Sequence, residues 1–188
     1  DVRMAAWDAK RVGGKISPDT IKNMLPALFP GLSDGVVDWV GGLADGAFTD
    51  WVADPSSVEG LFEDYDHPNT RVTHATVNHG IPPTVWRSVG HSYTAFAKES
   101  MVDELVVAGG YDPVAFRLKN TENKPRLQNV IRVAGDLMKA MTLSQDHHLG
   151  FAAHHSFLTD VAQIAEVSVK EGKIRVHKVV CVVDCGTA

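Results

Sequence analysis

The chain has 188 residues, of which 44% are hydrophobic and 22% charged, and its formal net charge is −5. This composition is ordinary for a soluble globular protein, and no apolar run approaches the roughly 18–20 residues that cross a bilayer. Lysines and arginines cluster only as pairs such as Lys10-Arg11. The absence of a basic stripe argues against a nucleic-acid surface, because phosphate binding needs clustered positive charge.

The first sixty residues contain many turn-forming residues, and they predict an irregular and helical wrapping segment (residues 1–60) rather than a self-contained domain. Ser17 and Pro18 are typical of a helix start, with Ser as N-cap and Pro in the first turn. Pro26 and Pro30 are expected to kink and then end that helix, because proline lacks the N–H that a helix interior needs.

A second short helix is predicted to begin near Ser33 and to end at Gly41 and Gly42. Residues 45–60 are expected to be irregular, with a turn at residues 54–56, Asp-Pro-Ser. Both elements are expected to lie on the surface of a larger body.

Residues 61–188 predict a partial domain of the α+β class, in which helices pack on a mixed β-sheet. Alternating β-branched residues predict a strand at 71–78. Apolar residues at three- and four-residue spacing predict helices at 92–108, from Asp112 onward, and at 125–141. The Asp-Pro pair is expected to start the middle helix, with Asp as N-cap and Pro in the first turn.

The last forty residues are rich in β-formers and predict three strands, at 150–158, 161–169 and 173–183. Residues 170–173, Lys-Glu-Gly-Lys, predict a tight hairpin turn between the second and third strands. The third strand is apolar almost throughout and is expected to be central in a sheet or covered on both faces. Because the chain stops just after this strand, we expect the domain to continue beyond residue 188.

The cysteines and histidines predict neither a disulfide nor a metal site. Cys181 and Cys185 would lie about 13 Å apart along a strand, too far for a disulfide, and they are expected to be small buried residues. In the adjacent pairs His147-His148 and His154-His155, neighbouring side chains point to opposite faces of a strand, so neither pair forms a chelate. We expect these histidines to be exposed or simply hydrogen-bonded.

Two acidic residues fall one turn apart on the helix predicted at 92–108. Glu99 and Asp103 could share a site, although a solvated helix face is the preferred interpretation. The motifs G-x-S-x-G, G-x-x-x-x-G-K-[ST] and G-x-G-x-x-G are absent from the sequence. Simple esterase, nucleotide-triphosphatase and dinucleotide-binding functions therefore lack their minimum residues.

The stretch GIPPTVWRSVGHS at residues 80–92 is the strongest candidate for a binding site. Its prolines hold the chain extended, Gly90 permits a sharp turn, and the free N–H groups of the following helix point back toward that turn. Such a turn can receive an anionic or polar ligand. The alternative is a plain connection with Arg87 paired to an acidic neighbour, which local physics alone slightly favours.

Several segments together resemble a known family. They are GIPPTVWRSVGHS (80–92), AFAKESMVDEL (95–105), DPVAFR (112–117), PSSVEG (55–60), and VAQIAEVSV (161–169) through VVCVVDCG (179–186). In this order they resemble the molybdopterin-binding large subunit of the xanthine oxidase family. The isoquinoline 1-oxidoreductase beta subunit, often called membrane-bound aldehyde dehydrogenase, is the most similar branch. The resemblance covers most of residues 54–188, whereas residues 1–53 match less clearly.

The resemblance implies a catalytic subunit of a molybdenum hydroxylase, whose molybdopterin cytosine dinucleotide cofactor oxidises aldehydes or N-heterocycles with water-derived oxygen. It implies that Trp86, Arg87, Ser88, Val89 and Gly90 bind the cofactor, with Val89 also bordering the substrate. It also implies an iron–sulfur small subunit as partner, together with the remainder of the same subunit and a small-molecule substrate. No nucleic-acid partner is implied.

Other parts of the family pattern are missing from these 188 residues. The Gly-rich cofactor loop, the Gln-containing segment, the Asn-Pro segment and the Gly-x-Gly-Glu segment that carries the general-base glutamate are expected outside this chain. We therefore expect an internal piece of a larger subunit, which when isolated is inactive and binds the cofactor weakly or not at all. The alternative is a non-catalytic binding or subunit-interface module with the same fold. The resemblance suggests a bacterial periplasmic or membrane-associated location, although the cytoplasm is possible.

Overall fold

A computed structural model describes residues 2–47, 54–77, 80–81, 83 and 85–187, and it has the predicted α+β fold, with parallel and antiparallel strands. Among these residues, none of the helices combines the length and the apolar character needed to cross a bilayer. The elements in chain order are β1 (Trp7–Gly13), α1 (Ser17–Leu28), α2 (Asp34–Ala47), α3 (Pro55–Val58), β2 (Thr70–Thr76), α4 (His91–Gly109), α5 (Pro113–Lys119), α6 (Pro125–Lys139), β3 (His147–Ser156), β4 (Thr159–Lys170) and β5 (Lys173–Asp184).

The chain divides into two compact units that interleave in sequence. One, here called the sheet unit, consists of Asp1–Ala6, Glu63–Asn69 and Ala95–Ala188. The other, the parallel-strand unit, consists of Trp7–Phe62 and Thr70–Thr94. The sequence predicts a boundary at residue 60, between a wrapping segment (1–60) and a partial cofactor-binding domain (61–188). That boundary applies to a larger protein, so the two compact units of this chain do not test it and it stays a prediction.

The sheet unit is an antiparallel sheet in the order β3-β4-β5, covered by α6. Helix α6 has its apolar residues at the predicted spacing and buries them against β3 and β4. Asp112 caps α5 as predicted, because its carboxylate accepts hydrogen bonds from the Val114 and Ala115 N–H groups at 3.0 and 2.7 Å. The core consists of Val114, Leu127, Val130, Ile131, Ala134, Phe151, Ala153, Ala162 and Ile164.

The hairpin between β4 and β5 is confirmed, but the expected burial of β5 is wrong. Glu171 and Gly172 have φ of 52° and 71°, the left-handed pair that a two-residue turn requires. Strand β5 lies at the sheet edge, and most of its side chains are exposed. Only Val180 and Val182 pack partly against the core, because α6 covers one face of the sheet. The apolar run therefore does not indicate burial on both faces.

The parallel-strand unit is built on the pair β1 and β2, which run from Trp7 opposite Thr70 to Gly13 opposite Thr76. Strand β2 matches the predicted strand, whereas β1 was not predicted, because Asp8 and Lys10 weaken its apolar pattern. Its partner lies some sixty residues away in sequence, and a parallel pair requires such a long connection.

One of the two predicted helix ends in this unit is wrong. Helix α1 continues through Pro26 and ends at Leu28, just before Pro30, as expected, whereas α2 continues through Gly41 and Gly42 to Ala47. A Cβ on Gly41 would lie 2.9 Å from Lys22 Cγ, so this glycine serves the close packing of α1 against α2 instead of ending a helix. The predicted turn at 54–56 is the start of the short helix α3, whereas 48–53 in the segment predicted to be irregular lie outside the described residues.

Candidate functional site

The predicted binding residues form a tight turn that leads directly into α4. The Val89 N–H donates a hydrogen bond to the Trp86 carbonyl at 3.1 Å, which closes the turn. The Ser92 hydroxyl in the first turn of α4 donates to the Val89 carbonyl at 3.1 Å and lies 2.6 Å from the Ser88 hydroxyl. The chain thus brings residues 86–90 together with the N-terminus of α4, as the sequence predicted.

The backbone of this turn is strained at one residue. Val89 has a φ of 47°, in the left-handed region that β-branched residues rarely adopt. Such strain costs on the order of 1–3 kcal/mol and persists where the surrounding structure enforces it, most often at binding sites. The unusual φ of Val89, a residue predicted to contact the cofactor, therefore supports a functional role for the turn.

Gly90 fixes the turn to the segment at α3. It is buried, and a Cβ at this position would lie 2.4 Å from the Ser56 carbonyl oxygen. The Thr94 hydroxyl lies 2.6 Å from the Glu59 carbonyl oxygen and 3.0 Å from that of Gly90. The Tyr93 hydroxyl donates to the Ser57 carbonyl at 2.9 Å. Two segments of the family resemblance, 55–60 and 80–92, are therefore in direct contact.

Asp54 holds the α3 segment in place. This fully buried carboxylate accepts hydrogen bonds from the Ser17 hydroxyl at 2.6 Å and the Ser57 hydroxyl at 2.9 Å. It also accepts from the N–H groups of Ile16, Ser17 and Ser56. Burial opposes its charge, but these donors outweigh that cost and hold the pKa of Asp54 below its usual value. The turn thus rests on a support that is rigid and fully hydrogen-bonded.

The opposite side of the turn faces solvent. Trp86 is 79% exposed and Arg87 is exposed, whereas Ser88 and Val89 are half-buried. Within the described part of the chain Arg87 forms no ion pair, so the alternative of an Arg87–carboxylate pair is not observed there. An exposed indole beside an unpaired guanidinium can stack on and hydrogen-bond to a planar or anionic ligand.

We expect Gly90→Ala to lower the free energy of unfolding by about 1–3 kcal/mol, because the added methyl group meets a backbone oxygen that cannot rotate away. Urea denaturation of the 188-residue chain measures this effect. Gly42→Ala is the matched control, since a Cβ there meets nothing within 4 Å, and alanine is the better helix former. Equal losses in the two variants would contradict the tight contact at Gly90.

The parallel-strand unit also contains a cleft of about 530 Å³ at the carboxyl ends of β1 and β2. The predicted residues Trp86, Arg87, Ser88, Val89 and Gly90 do not line it. Its charged residues include two ion pairs, Lys15 with Asp45 and Lys22 with Asp38. The structure therefore separates the predicted binding turn from this cleft of its own unit.

A buried ionic cluster in the sheet unit was only half recognised from the sequence. Glu99 is buried, so the preferred solvated-face interpretation is wrong for this residue, and its carboxylate accepts from Arg117 Nε at 3.0 Å. Asp103 Oδ1 accepts from Nη2 of the same guanidinium at 2.7 Å. The two carboxylates do share a site, and its occupant is Arg117.

Tyr65 completes this cluster by donating its hydroxyl to Glu99 at 2.6 Å. Burial, together with the Glu99 charge, raises the pKa of Tyr65 well above its usual value, so the phenol stays a donor. Burial opposes the charge of Arg117, but Tyr65, Glu99 and Asp103 outweigh it and raise the pKa of the guanidinium. The buried carboxylate, guanidinium and phenol of this cluster are hydrogen-bonded to one another, which suits a structural role.

A second buried group next to it contains Lys98, Asp64 and His154. The Lys98 ammonium contacts the Asp64 carboxylate, and His154 Nδ1 lies 2.8 Å from Asp64 and 2.9 Å from Lys98. Burial lowers the pKa of Lys98 to about 7, against an opposing effect of Glu99. Burial and the Lys98 charge lower the pKa of His154 to about 4, so this imidazole is neutral at pH 7. Sequence periodicity gave no signal for the group, since Asp64 and His154 are ninety residues apart.

The expectation that the other paired histidines are exposed or hydrogen-bonded is confirmed, whereas the expectation that the cysteines are buried is wrong. His147 Nδ1 lies 2.5 Å from Glu166 and His155 Nδ1 lies 2.9 Å from Asp160, so both are hydrogen-bonded as expected. Across the described ranges, no three or more His, Cys, Asp or Glu side chains are arranged to hold a metal ion. The two cysteines are free and exposed rather than buried, because both lie on or beyond the edge strand β5.

Comparison with known proteins confirms the predicted resemblance to the isoquinoline 1-oxidoreductase beta subunit. The particular relative is isoquinoline 1-oxidoreductase subunit beta from Brevundimonas diminuta, which is 30% identical over 139 residues. The matched region is 71% of this chain and 18% of the relative, so the chain spans under a fifth of that subunit.

Among solved structures, aldehyde oxidoreductase from Desulfovibrio gigas is similar to 66% of the chain, with a TM-score of 0.46 and 22% sequence identity. The match covers 17% of that protein. No protein-family model matches the chain.

Proposed function

We propose that the chain is part of the catalytic large subunit of a molybdenum-dependent oxidoreductase, in which residues 86–90 contact the molybdenum–molybdopterin cytosine dinucleotide cofactor. The exposed Trp86-Arg87 pair on a strained and firmly anchored turn is the observation that carries this proposal. The similarity to isoquinoline 1-oxidoreductase subunit beta supplies the chemical class.

The residues of the turn fit such a cofactor. Arg87 offers up to five N–H donors in a planar fork, which suits phosphate and pterin oxygens. The backbone N–H groups at the start of α4 lie next to the turn, because the helix begins at His91, and the helix dipole favours negative charge there. Trp86 presents an aromatic face to solvent, on which a planar ring can stack. When bound, the cofactor would supply the oxidation of an aldehyde or N-heterocycle carbon with oxygen from water.

The residues of this chain would bind and orient the cofactor and the substrate, and we assign proton transfer to none of them. Arg87 would fix one anionic end of the cofactor, and Val89 would border the substrate at the point where its strained backbone holds it. The general base would come from the rest of the subunit. An iron–sulfur small subunit would receive the electrons. On this basis the isolated 188 residues are expected to show no turnover.

The test is Arg87→Ala in the full-length parent protein. We expect the variant to lose molybdenum, measured by elemental analysis, or turnover by about 100-fold, as when a charge-assisted contact to a bound anion is removed. Arg87→Lys is expected to recover only part of this loss, because the ammonium lacks the planar fork. Arg132→Ala, an exposed arginine on α6, is the matched control and should retain metal and activity.

Wild-type molybdenum content and rates in Arg87→Ala would refute the contact between this turn and the cofactor. A parent protein that carries neither molybdenum nor pterin would instead favour a non-catalytic binding or subunit-interface module. The two outcomes are distinguishable, because the first leaves the metal content of the parent intact.

A further inference from the structure

Strand β5 leaves one edge of the antiparallel sheet uncovered. It pairs with β4 on one side, and α6 packs against one of its faces. Its other edge has no strand partner in the described part of the chain. An edge strand presents backbone N–H and C=O groups, and another extended strand is what pairs them in a regular ladder. The backbone of β5 therefore selects a β-strand as its partner.

The second half of β5 lacks the features that usually protect an edge strand. Residues 179–183 are Val-Val-Cys-Val-Val, without a charge, a proline or a glycine. Val179 and Val183 are each 54% exposed, and Cys181 between them is also exposed. The register shift in the β4–β5 ladder lies between Glu166 and Val167, away from the partners of this segment. Lysine, proline or a bulge commonly blocks such an edge, and residues 179–183 have none of them.

The segment matches itself when a second copy runs antiparallel to it. With a two-fold axis at Cys181, the central residues meet apolar or thiol side chains only: Cys181 lies opposite its own copy, Val180 opposite Val182, and Val179 opposite Val183. Lys178 then lies opposite Asp184 on each side of the axis. Directly opposite residues have Cβ atoms about 4.5–5.5 Å apart, so opposite charges at these positions attract.

Neighbouring registers lose this match. Centring the pair on Val180 places Lys178 opposite Val182, and centring it on Val182 places Asp184 opposite Val180. A slip by a single residue would place the inner face of one sheet opposite the outer face of the other, because side chains alternate along a strand. The two charged residues therefore select the register centred on Cys181.

The two charged residues are also placed on the correct face for this contact. Val180 and Val182 pack partly against the core, so Lys178 and Asp184, which are an even number of positions away, lie on the same face. Lys178 is exposed. Asp184 accepts hydrogen bonds from Arg126, but its side chain remains 31% exposed. Its carboxylate is therefore open to a second cation.

We propose that the 188-residue chain forms a two-fold symmetric dimer, in which residues 178–184 of two copies pair antiparallel and join the two sheets into one. A symmetric pair uses the β5 edge of both copies, so association through this edge stops at a dimer. This proposal is independent of the cofactor contact at residues 86–90.

Helix α6 adds an apolar contact to this arrangement. A two-fold axis perpendicular to the joined sheet places both copies of α6 on the same face. Leu137 of α6 is exposed, and together with Lys178 and Val180 it lines a cleft of about 310 Å³ beside β5. This side of α6 therefore faces the second copy, and its apolar surface loses contact with water in the dimer.

Sedimentation velocity of the 188-residue chain tests the dimer. We expect the monomer fraction to fall as the concentration rises from about 10 to 200 µM, since the interface is small. Cys181→Lys should weaken association about tenfold or more, because two positive charges then meet at the axis. Lys178→Gln removes both ion pairs and should weaken it about threefold. Ile174→Lys is the matched control, because Ile174 is a 73% exposed residue of β5 outside the paired segment.

Oxidation with diamide tests the register separately. Two copies of Cys181 lie directly opposite each other, within the distance that a disulfide spans, whereas the copies of Cys185 lie at opposite ends of the pair. Diamide takes one hydrogen from each of two thiols, and the two sulfurs form the disulfide. We expect Cys185→Ser to give the same covalent dimer as the wild type, and Cys181→Ser to give none.

Four outcomes would overturn the proposal. A chain that stays monomeric over the whole concentration range would leave the edge to a strand from outside the chain. Oligomers that keep growing with concentration would indicate head-to-tail pairing with β3. The other two outcomes are wild-type association of a folded Cys181→Lys variant and a covalent dimer that requires Cys185. Circular dichroism checks that each variant is folded, and Lys178→Gln with the diamide result decides if Cys181→Lys is not.

Discussion

Arg117→Met is expected to lower the free energy of unfolding by about 4 kcal/mol, because it leaves two carboxylates without their shared cation. The guanidinium is fully buried, bonds Glu99 and Asp103, and lies 5.5 Å from the centre of the Phe151 ring. Methionine preserves most of the side-chain volume, so the loss reports the ion pairs rather than a cavity. Urea denaturation monitored by circular dichroism measures it.

Arg126→Met is the matched control for this experiment. Arg126 also pairs with carboxylates, Asp184 at 2.9 Å and Asp160 at 3.6 Å, but its side chain is 44% exposed. Surface pairs of this kind contribute about 0–1 kcal/mol. In the double variant Arg117→Met with Glu99→Gln, removing one unpaired charge should restore part of the stability. A loss for Arg117→Met no larger than that for Arg126→Met would show that the buried cluster does not stabilise the fold.

This cluster also explains part of the family resemblance in structural terms. Arg117 lies in the segment DPVAFR, and Glu99 and Asp103 lie in the segment AFAKESMVDEL. The ion pairs join these two segments in the sheet unit. Two of the segments that carry the resemblance therefore have a role in folding, whereas the exposed side chains of Trp86 and Arg87 have no such role.

Local signals predicted the sheet unit well because its elements follow one another in sequence. The Asp112 cap, the apolar stripe of α6 and the Glu171-Gly172 turn are each determined by residues within a few positions. Such signals are read directly from spacing and turn chemistry. The same reasoning failed for β5, because a strand's burial depends on what covers the sheet and not on the strand itself.

The parallel-strand unit was predicted less well because its structure depends on distant residues. Strand β1 pairs with β2 over sixty residues away, and Gly41 serves packing against Lys22 instead of helix termination. At the candidate site, the sequence identified residues 86–90 but gave no sign of the strained φ of Val89 or of the support from Asp54. Both features arise from tertiary contacts that single-sequence patterns do not encode.

The pH dependence of stability should reveal the buried imidazole of His154. Its pKa is about 4 in the folded chain, against an ordinary value of 6.5, because burial and the Lys98 charge disfavour protonation. The unfolded chain therefore binds a proton more readily than the folded chain between these pH values. Above pH 6.5 His154 is neutral in both states and the folded chain keeps its full stability. As the pH falls from 6.5 toward 4, protonation of the unfolded chain lowers the free energy of unfolding.

The size of this effect is at most about 3 kcal/mol, from about 1.4 kcal/mol for each pH unit between the two pKa values. His154→Asn removes the titrating group while retaining a polar atom near Asp64 and Lys98, so its stability should fall less steeply between pH 6.5 and 4. His148→Asn, at an exposed histidine of the same strand, should keep the wild-type dependence. If thermal unfolding across this range shows the same slope for His154→Asn and the wild type, the protonation of His154 is not coupled to folding. Lys98 and Asp64 would then have to stay in contact while His154 beside them becomes protonated.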